Sequence, residues 1–164
     1  VPPKSNATSP CFGGLINAAL NANSPFQQNT QLSWDLGTSD MVMRVTANAW
    51  GTNVGCYYHL LARDDGSSFV SYGFRIEDVG GGNASYTLWV PDEFTTQLDT
   101  VTLAKPINGD VFELSTIGTA ILGKKNGSTI VSATDATITT ERIAGVRIFD
   151  GVSLTDLEVD VFCP

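Results

Sequence analysis

Apolar and polar residues alternate along most of the chain after residue 31, with the two-residue period of strands that have one buried face. Residues 111–116 (VFELST) show it clearly. No segment has the apolar spacing of a long amphipathic helix. The predicted strands are 32–36, 41–50, 54–63, 69–78, 85–90, 98–103, 111–116, 119–124, 128–134, 143–149 and 154–162. The pattern predicts an all-β chain.

Turn signals separate these strands. Asn126-Gly127 is suited to the positive φ values of a tight hairpin turn. Further breaks contain Asp64–Ser67, Gly80–Asn83, Pro106–Gly109 and Asp150-Gly151. Short strands at this spacing predict a two-sheet antiparallel β-sandwich, and the jelly roll is the form that limits exposed sheet edges.

Residues 1–31 differ from the rest of the chain. They are rich in Pro, Asn, Gln, Ser and Ala, and Lys4 is their one charged residue. We expect an irregular, extended N-terminal arm with one short strand or helical turn, which lies across the domain or reaches a neighbour. The jelly-roll domain is then predicted over 32–164.

Length and charge exclude several classes of protein. A chain of 164 residues suits one domain, and its net charge of −8 disfavours nucleic acid and anionic membranes as partners. No apolar run approaches the roughly 20 residues of a membrane span, so no membrane insertion is expected. Because the chain starts at Val1, we expect a mature product, a trimmed polypeptide or a fragment.

The three cysteines suggest a link between the termini. Cys11 and Cys163 lie near the two ends of the chain, and the first and last strands of a jelly roll are commonly neighbours. A Cys11–Cys163 disulfide would contribute about 4–5 kcal/mol by loop entropy. Cys56, in strand 54–63, is expected to be buried. The alternative is three buried thiols, since pairing cannot be deduced from sequence.

The run from Gly109 to Thr139 carries a family resemblance. It reads strand, turn, strand, Asn-Gly hairpin and strand, and it is followed by Gly145-Val146-Arg147 and a closing acidic strand. This sequence pattern resembles that of the laminin-G-like and related members of the concanavalin A-like lectin/glucanase superfamily. The resemblance covers about residues 40–162 and implies a jelly roll of the non-catalytic branch.

The outward faces of strands 41–50, 54–63, 69–78 and 85–90 are rich in rings and planar donors. Aromatic rings stack on the apolar side of a pyranose, while polar groups bind its hydroxyls. The resemblance implies that the outward face of the concave sheet is the carbohydrate site. The candidates are Arg44, Asn48, Trp50, Tyr57, His59, Arg63, Arg75, Glu77 and Trp89. The alternative is an ordinary solvated sheet face with a structural His59 and with tryptophans buried under loops.

Catalysis is not favoured. The superfamily that the chain resembles has a glucanase branch, whose catalytic carboxylates lie in a Glu-x-Asp-x-x-Glu strand. Retaining hydrolysis needs two carboxyl groups about 5–5.5 Å apart. The nearest match here, Asp156-Leu157-Glu158-Val159-Asp160, has its last acid one residue short of that pattern. We interpret this strand as a solvated acidic edge. The sequence leaves enzymatic activity undecided but leans against it.

No cofactor is required, although the resemblance makes a structural Ca²⁺ possible. Calcium takes six to eight oxygen ligands, which Asp-rich loops can offer. The candidates are Asp64, Asp65 and Asp156, besides Asp35 with Asp40. Plain turns are the alternative explanation.

Two functions follow from these observations. The first is a lectin-like module that binds a glycan without transforming it. The alternative is a structural jelly-roll subunit, such as a virion decoration or fibre protein or an appendage adhesin, whose N-terminal arm docks on neighbouring subunits and makes a homo-oligomer. In either case we expect an extracellular, virion-surface or cell-surface location.

Overall fold

The computed structural model describes residues 14–16, 20–21, 30–51, 53–65, 70–90, 95–149 and 152–161. These residues contain no helix, and none of them forms a helix that could cross a membrane. Their thirteen strands are β1 Gly14–Ile16, β2 Leu20–Asn21, β3 Thr30–Asp35, β4 Met41–Ala49, β5 Tyr57–Asp64, β6 Tyr72–Gly80, β7 Asn83–Val90, β8 Thr96–Ala104, β9 Val111–Ile117, β10 Ala120–Lys125, β11 Ser128–Thr134, β12 Ile143–Phe149 and β13 Ser153–Val161. The all-β prediction is confirmed.

The strands form two antiparallel sheets. Sheet A has the order β1-β13-β4-β9-β10-β11, with β2 also paired to β13. Sheet B has the order β3-β12-β5-β6-β7-β8. Neighbouring strands are often distant in sequence, as when β12 inserts between β3 and β5. The molecule is therefore the two-sheet sandwich that the turn spacing predicts.

The core lies between the sheets and follows the predicted alternation. Sheet A contributes Met41, Met43 and Phe112, and sheet B contributes Tyr58 and Phe74, all of them fully buried. Cys56 is also fully buried, as expected from its place in the alternation. Burial of these apolar side chains is the main stabilising contribution to the sandwich.

Gly123 of β10 lies close to core side chains of both sheets. A Cβ atom at this position would lie 2.6 Å from Val131 Cγ2 and 2.8 Å from Phe74 Cε2. The glycine is needed for space, because a side chain here would overlap the packed core.

The N-terminal arm contributes short strands where it is described. β1 and β2 pair with β13, and β3 starts at Thr30, two residues before the predicted strand. The division into an arm over 1–31 and a domain over 32–164 stays a prediction. Cys11 and Cys163 lie outside the described residues, and so does their proposed disulfide.

The interpretation of β13 as a sheet edge is wrong. β13 pairs with β4 on one side and with β1 and β2 on the other. The N-terminal strands cover its backbone, and at three and two residues they are too short to show the alternation from which this pairing could be predicted.

Candidate functional site

The outward face of sheet B collects polar and aromatic side chains in cross-strand rows. The central row, which we call the arginine row, places His59 of β5 between Arg147 of β12 and Arg75 of β6. Thr87 of β7 and Thr100 of β8 extend this row. Side chains that face each other across neighbouring strands lie close enough to interact.

A second row lies beside the arginine row. Phe149, Tyr57, Glu77 and Ser85 occupy successive strands of this row. The Arg75 guanidinium carbon lies 4.0 Å from the centre of the Tyr57 ring, and Arg75 Nε lies 3.0 Å from Glu77 Oε2. Tyr57 in turn stacks on Phe149 at 5.3 Å between ring centres. A cation–π contact and an ion pair thus fix Arg75 from two sides.

The row on the other flank contains Leu61, Gly73 and Trp89. A Cβ atom at Gly73 would lie 2.2 Å from His59 Nε2, so the imidazole occupies the space that a side chain at position 73 would need. The indole N–H of Trp89 is buried and has no hydrogen-bond acceptor in the structure as described. An indole N–H in such a place ordinarily finds an acceptor.

Burial divides this face into a supporting part and a contact part. His59 and Arg147 are 1% and 3% exposed, so their side chains are covered and would not contact a ligand directly. Glu77, Trp89 and Phe149 are half-buried, and Thr100 is exposed. A ligand would therefore meet Glu77 and Trp89 directly, with the buried row holding their neighbours in place.

Two predicted site residues, Arg44 and Asn48, belong to the other sheet. Both lie on β4 of sheet A. Arg44 Nε lies 2.7 Å from Glu113 Oε2, and Lys124 Nζ lies 2.7 Å from Glu113 Oε1. Arg44 and Glu113 are cross-strand neighbours, as are Glu113 and Lys124. Placing these two residues with the candidates on sheet B is wrong, because sequence alternation does not say which sheet a strand joins.

The outward placement of Trp50 is also wrong. β4 ends at Ala49, and the Trp50 ring packs on the core, 4.9 Å from the centre of the Tyr58 ring. Its Nε1 donates to Asp78 Oδ2 at 3.3 Å. The alternation fails here because the strand has already ended.

The side chain of Arg63 does not lie on the predicted outward face, because the backbone of β5 is irregular at this residue. Its φ of 51° is unusual for a residue other than glycine, and the β5–β12 register shifts between Ile143 and Gly145. The guanidinium donates to three carbonyl oxygens, those of Ser39, Ile138 and Gly118, at 2.7–2.8 Å, and to Asp40 Oδ1 at 3.0 Å. Arg63 therefore binds loops at one end of the sandwich.

The sequence interpretation missed Arg147, Phe149, Thr87 and Thr100. Alternation within 143–149 would have placed Arg147 and Phe149 on one face. Their neighbours could not be inferred, because β12 joins β5 across some 80 residues of sequence.

Metal binding remains a prediction. Among the residues whose side chains are described, no group of three His, Cys, Asp or Glu lies close enough to hold a metal ion. Asp64 is buried, and the Asp65 N–H donates to the Val70 carbonyl at 3.0 Å. The side chain of Asp156 lies outside the described residues.

The two-sheet topology is that of the concanavalin A-like lectin/glucanase jelly roll. Carbohydrate binding module CBM66 from Bacillus subtilis has this fold, with a TM-score of 0.60 and 10% identity over 90% of this chain and 94% of that one. A β-glucanase from Bacillus licheniformis has a TM-score of 0.56 and 9% identity, over 88% of this chain and 78% of that one. Galectin LEC-6 from Caenorhabditis elegans has a TM-score of 0.54 and 13% identity, over 87% of this chain and 95% of that one.

These likenesses show a shared fold. No protein-family model matches the sequence, and no curated protein matches it. The predicted superfamily resemblance is confirmed at the level of the fold.

Proposed function

We propose that the chain is a non-catalytic carbohydrate-binding domain that holds a saccharide on the outward face of sheet B. The observation that carries this proposal is the placement of Arg75 and Glu77 on β6 and of Trp89 on the adjacent β7, all on one face, with Glu77 and Trp89 partly accessible. A carbohydrate binding module and a galectin among the structures with this fold lend it support.

The chemistry of the face suits a sugar. The Trp89 ring, which is half-buried, offers an apolar surface to pyranose C–H groups. The Glu77 carboxylate accepts from two neighbouring hydroxyls, while the Arg75 guanidinium, fixed by Tyr57, donates. Groups held in place before binding lose little conformational entropy on binding.

A binding role fits this face better than hydrolysis. Glycoside hydrolysis uses two carboxyl groups on either side of the scissile bond. The cross-strand neighbours of Glu77 in the described structure are Tyr57 and Ser85, neither of which is an acid.

A glycan array probed with the purified protein tests the proposal. We expect binding to at least one class of saccharide, and we expect Trp89→Ala to abolish that signal while Asn48→Ala, on sheet A, retains it. A protein that binds no glycan, or a Trp89→Ala variant that binds as the parent does, would refute it.

The location and assembly of the domain form part of the proposal. We place it outside the cell or on a particle surface, where glycans are met. The structural-subunit alternative predicts a homo-oligomer that depends on the arm. Sedimentation of the chain with and without residues 1–13 separates the two, because this truncation leaves β1, β2 and β3 in place.

A further inference from the structure

The two accessible groups of the proposed sugar site lie far apart along the strands. Glu77, in the second row, lies opposite Ser85. Trp89 lies opposite Gly73, on the other side of the arginine row. The β6–β7 register is unbroken between these two pairs, so Ser85 and Trp89 stand four residues apart on β7. At about 3.3 Å per residue, Glu77 and Trp89 are therefore separated by roughly 13 Å along the strand direction.

The contacts of Arg75 keep the Glu77 carboxylate at its own end of this span. The Arg75 guanidinium lies over the ring of Tyr57, which is the β5 neighbour of Glu77. That ring stacks on Phe149 and so stays within the second row. The guanidinium therefore leans toward the second row and away from Trp89. Because Arg75 Nε lies 3.0 Å from Glu77 Oε2, the ion pair holds the carboxylate there.

Polar side chains continue these rows onto β8, the last strand of sheet B. In the arginine row, Thr87 Oγ1 lies 2.8 Å from Thr100 Oγ1. Thr87 is 4% exposed whereas Thr100 is exposed, so Thr100 is the hydroxyl that a ligand can reach. Thr102 continues the second row and Gln97 the row of Trp89, and both are exposed. Accessible groups thus occur in each of the three rows, which follow one another at about 6.7 Å.

We infer that the site takes a linear oligosaccharide of about three sugar units, which lies along β6 and β7. One pyranose unit lengthens a sugar chain by about as much as the spacing between neighbouring strands, ~4.8 Å. A single ring therefore meets Trp89 or Glu77 but not both. A chain of three meets both, and its middle unit lies beside the Thr100 hydroxyl. This inference rests on the proposed function, because it defines the length of the ligand on the same face.

The test measures affinity as a function of chain length by calorimetry. The probes are β-1,4-linked oligomers of glucose, mannose and xylose, one to five units long, and size-matched fragments of the best ligand from the glycan array. In a series that binds, we expect the affinity to rise about tenfold or more from the disaccharide to the trisaccharide, because the longer chain adds a hydrogen bond to a charged group. Units beyond the fourth should add little, since the span between Trp89 and Glu77 is then filled.

Variants then locate the two ends of the ligand. We expect a monosaccharide to occupy Trp89, where the ring offers the larger contact, so Trp89→Ala should weaken binding at every chain length. Glu77→Gln should weaken the trisaccharide about tenfold and leave the monosaccharide unchanged. This substitution preserves the shape of a side chain that is 33% exposed, so it keeps the test decisive even if Trp89→Ala unfolds the domain. Glu113→Gln, on sheet A, is the control and should leave the whole series unchanged.

Three outcomes have distinct meanings. A gain at the trisaccharide that Glu77→Gln removes and Glu113→Gln retains supports the inference. Equal affinity for the monosaccharide and the trisaccharide, a gain that survives Glu77→Gln, or a Glu77→Gln effect that is the same at every length overturns the inference and leaves the proposed function standing. A failure to bind any of these probes or any saccharide on the array contradicts the proposed function, and this inference with it.

Discussion

Gly73 and Gly123 both lie within strands, and each lacks room for a side chain for a different reason. At Gly73 a Cβ would meet the tip of the His59 imidazole, the end of one side chain outside the core between the sheets. At Gly123 it would meet Val131 and Phe74 inside the packed core. In the sequence each is simply a glycine within a strand, and only the packing distinguishes their roles.

Gly123→Ala should therefore destabilise the fold more than Gly73→Ala does. Overpacking a core costs about 1–3 kcal/mol, and we expect Gly123→Ala to fall in that range. Urea denaturation of the two variants gives the comparison. Equal losses of unfolding free energy in the two variants would contradict this prediction and would mean that the His59 side chain is held as firmly as the core.

Arg63 supports a second prediction at the scale of one residue. Arg63→Ala removes the guanidinium that donates to three carbonyls and to Asp40 Oδ1, which keeps the Gly118 N–H as a donor, and breaking a buried charge network costs about 3–5 kcal/mol. The control is Arg44→Ala, which removes an ion pair on the outward face of sheet A and should cost about 0–1 kcal/mol. Similar unfolding free energies for the two variants would refute the role assigned to Arg63.

At the scale of elements, buried carboxylates connect the turns. Asp78 accepts from Lys105, the Gly80 N–H and Trp50, and so joins three loops. Burial alone would raise the pKa of Asp78, but these hydrogen bonds outweigh it and hold the pKa below its ordinary value. Asp110, which accepts from Asn126 and the Ile107 N–H, has a lowered pKa for the same reason.

The direction of these pKa shifts predicts loss of stability in acid. A carboxyl group with a lower pKa in the folded state stabilises the fold above its unfolded pKa, near 3.8, and loses that contribution as the pH falls through the folded value. We expect the unfolding free energy to drop below about pH 4. Thermal melts from pH 6 to pH 2 measure the drop.

Asp78→Asn tests whether Asp78 causes part of that drop. This variant should be less stable than the parent at pH 6 and should lose less on acidification. Asp35→Asn, at a mostly exposed position, is the control. A parallel pH profile for Asp78→Asn and the parent would contradict the assignment.

Strand positions were predictable from alternation, while irregularities within strands were not. The predicted and observed bounds of the 128–134 and 143–149 strands coincide. β5 and β6 each begin three residues later than predicted, at Tyr57 and Tyr72. Local alternation reports which residues are half-buried, but a register shift with a distant strand, as at Arg63, has no local signature.

At the scale of the whole molecule, pairing between distant strands determines which side chains share the candidate site. Tyr57, His59, Arg75, Glu77 and Trp89 share the outward face of sheet B, as the sequence interpretation expected. Arg44 and Asn48 lie on sheet A instead, Trp50 packs on the core, and Arg63 binds loop carbonyls at one end of the sandwich. The alternation predicted which of these side chains share an outward face, but only the sheet order shows which of them meet.

The proposed link between the termini is a prediction at the same scale. Because β1 and β13 are antiparallel with Gly14 opposite Val159, the chain enters β1 and leaves β13 at the same end of this pair. We expect one reactive thiol, that of Cys56, when the non-reduced protein is titrated with a thiol reagent in denaturant, and three after reduction. Three thiols without reduction would exclude the disulfide.

The central claim is that the face of sheet B carrying Glu77 binds saccharide and the face of sheet A does not. Glu77 and Glu113 allow a matched test, since each pairs with an arginine on an outward face. The measurement is the dissociation constant, by calorimetry, for the best ligand from the glycan array with Glu77→Gln and Glu113→Gln. A lost hydrogen bond to a charged group is worth about 1.5–3 kcal/mol, so Glu77→Gln should weaken binding at least about tenfold. Glu113→Gln should bind as the parent does; equal effects of the two substitutions, or no effect of Glu77→Gln, would contradict the claim.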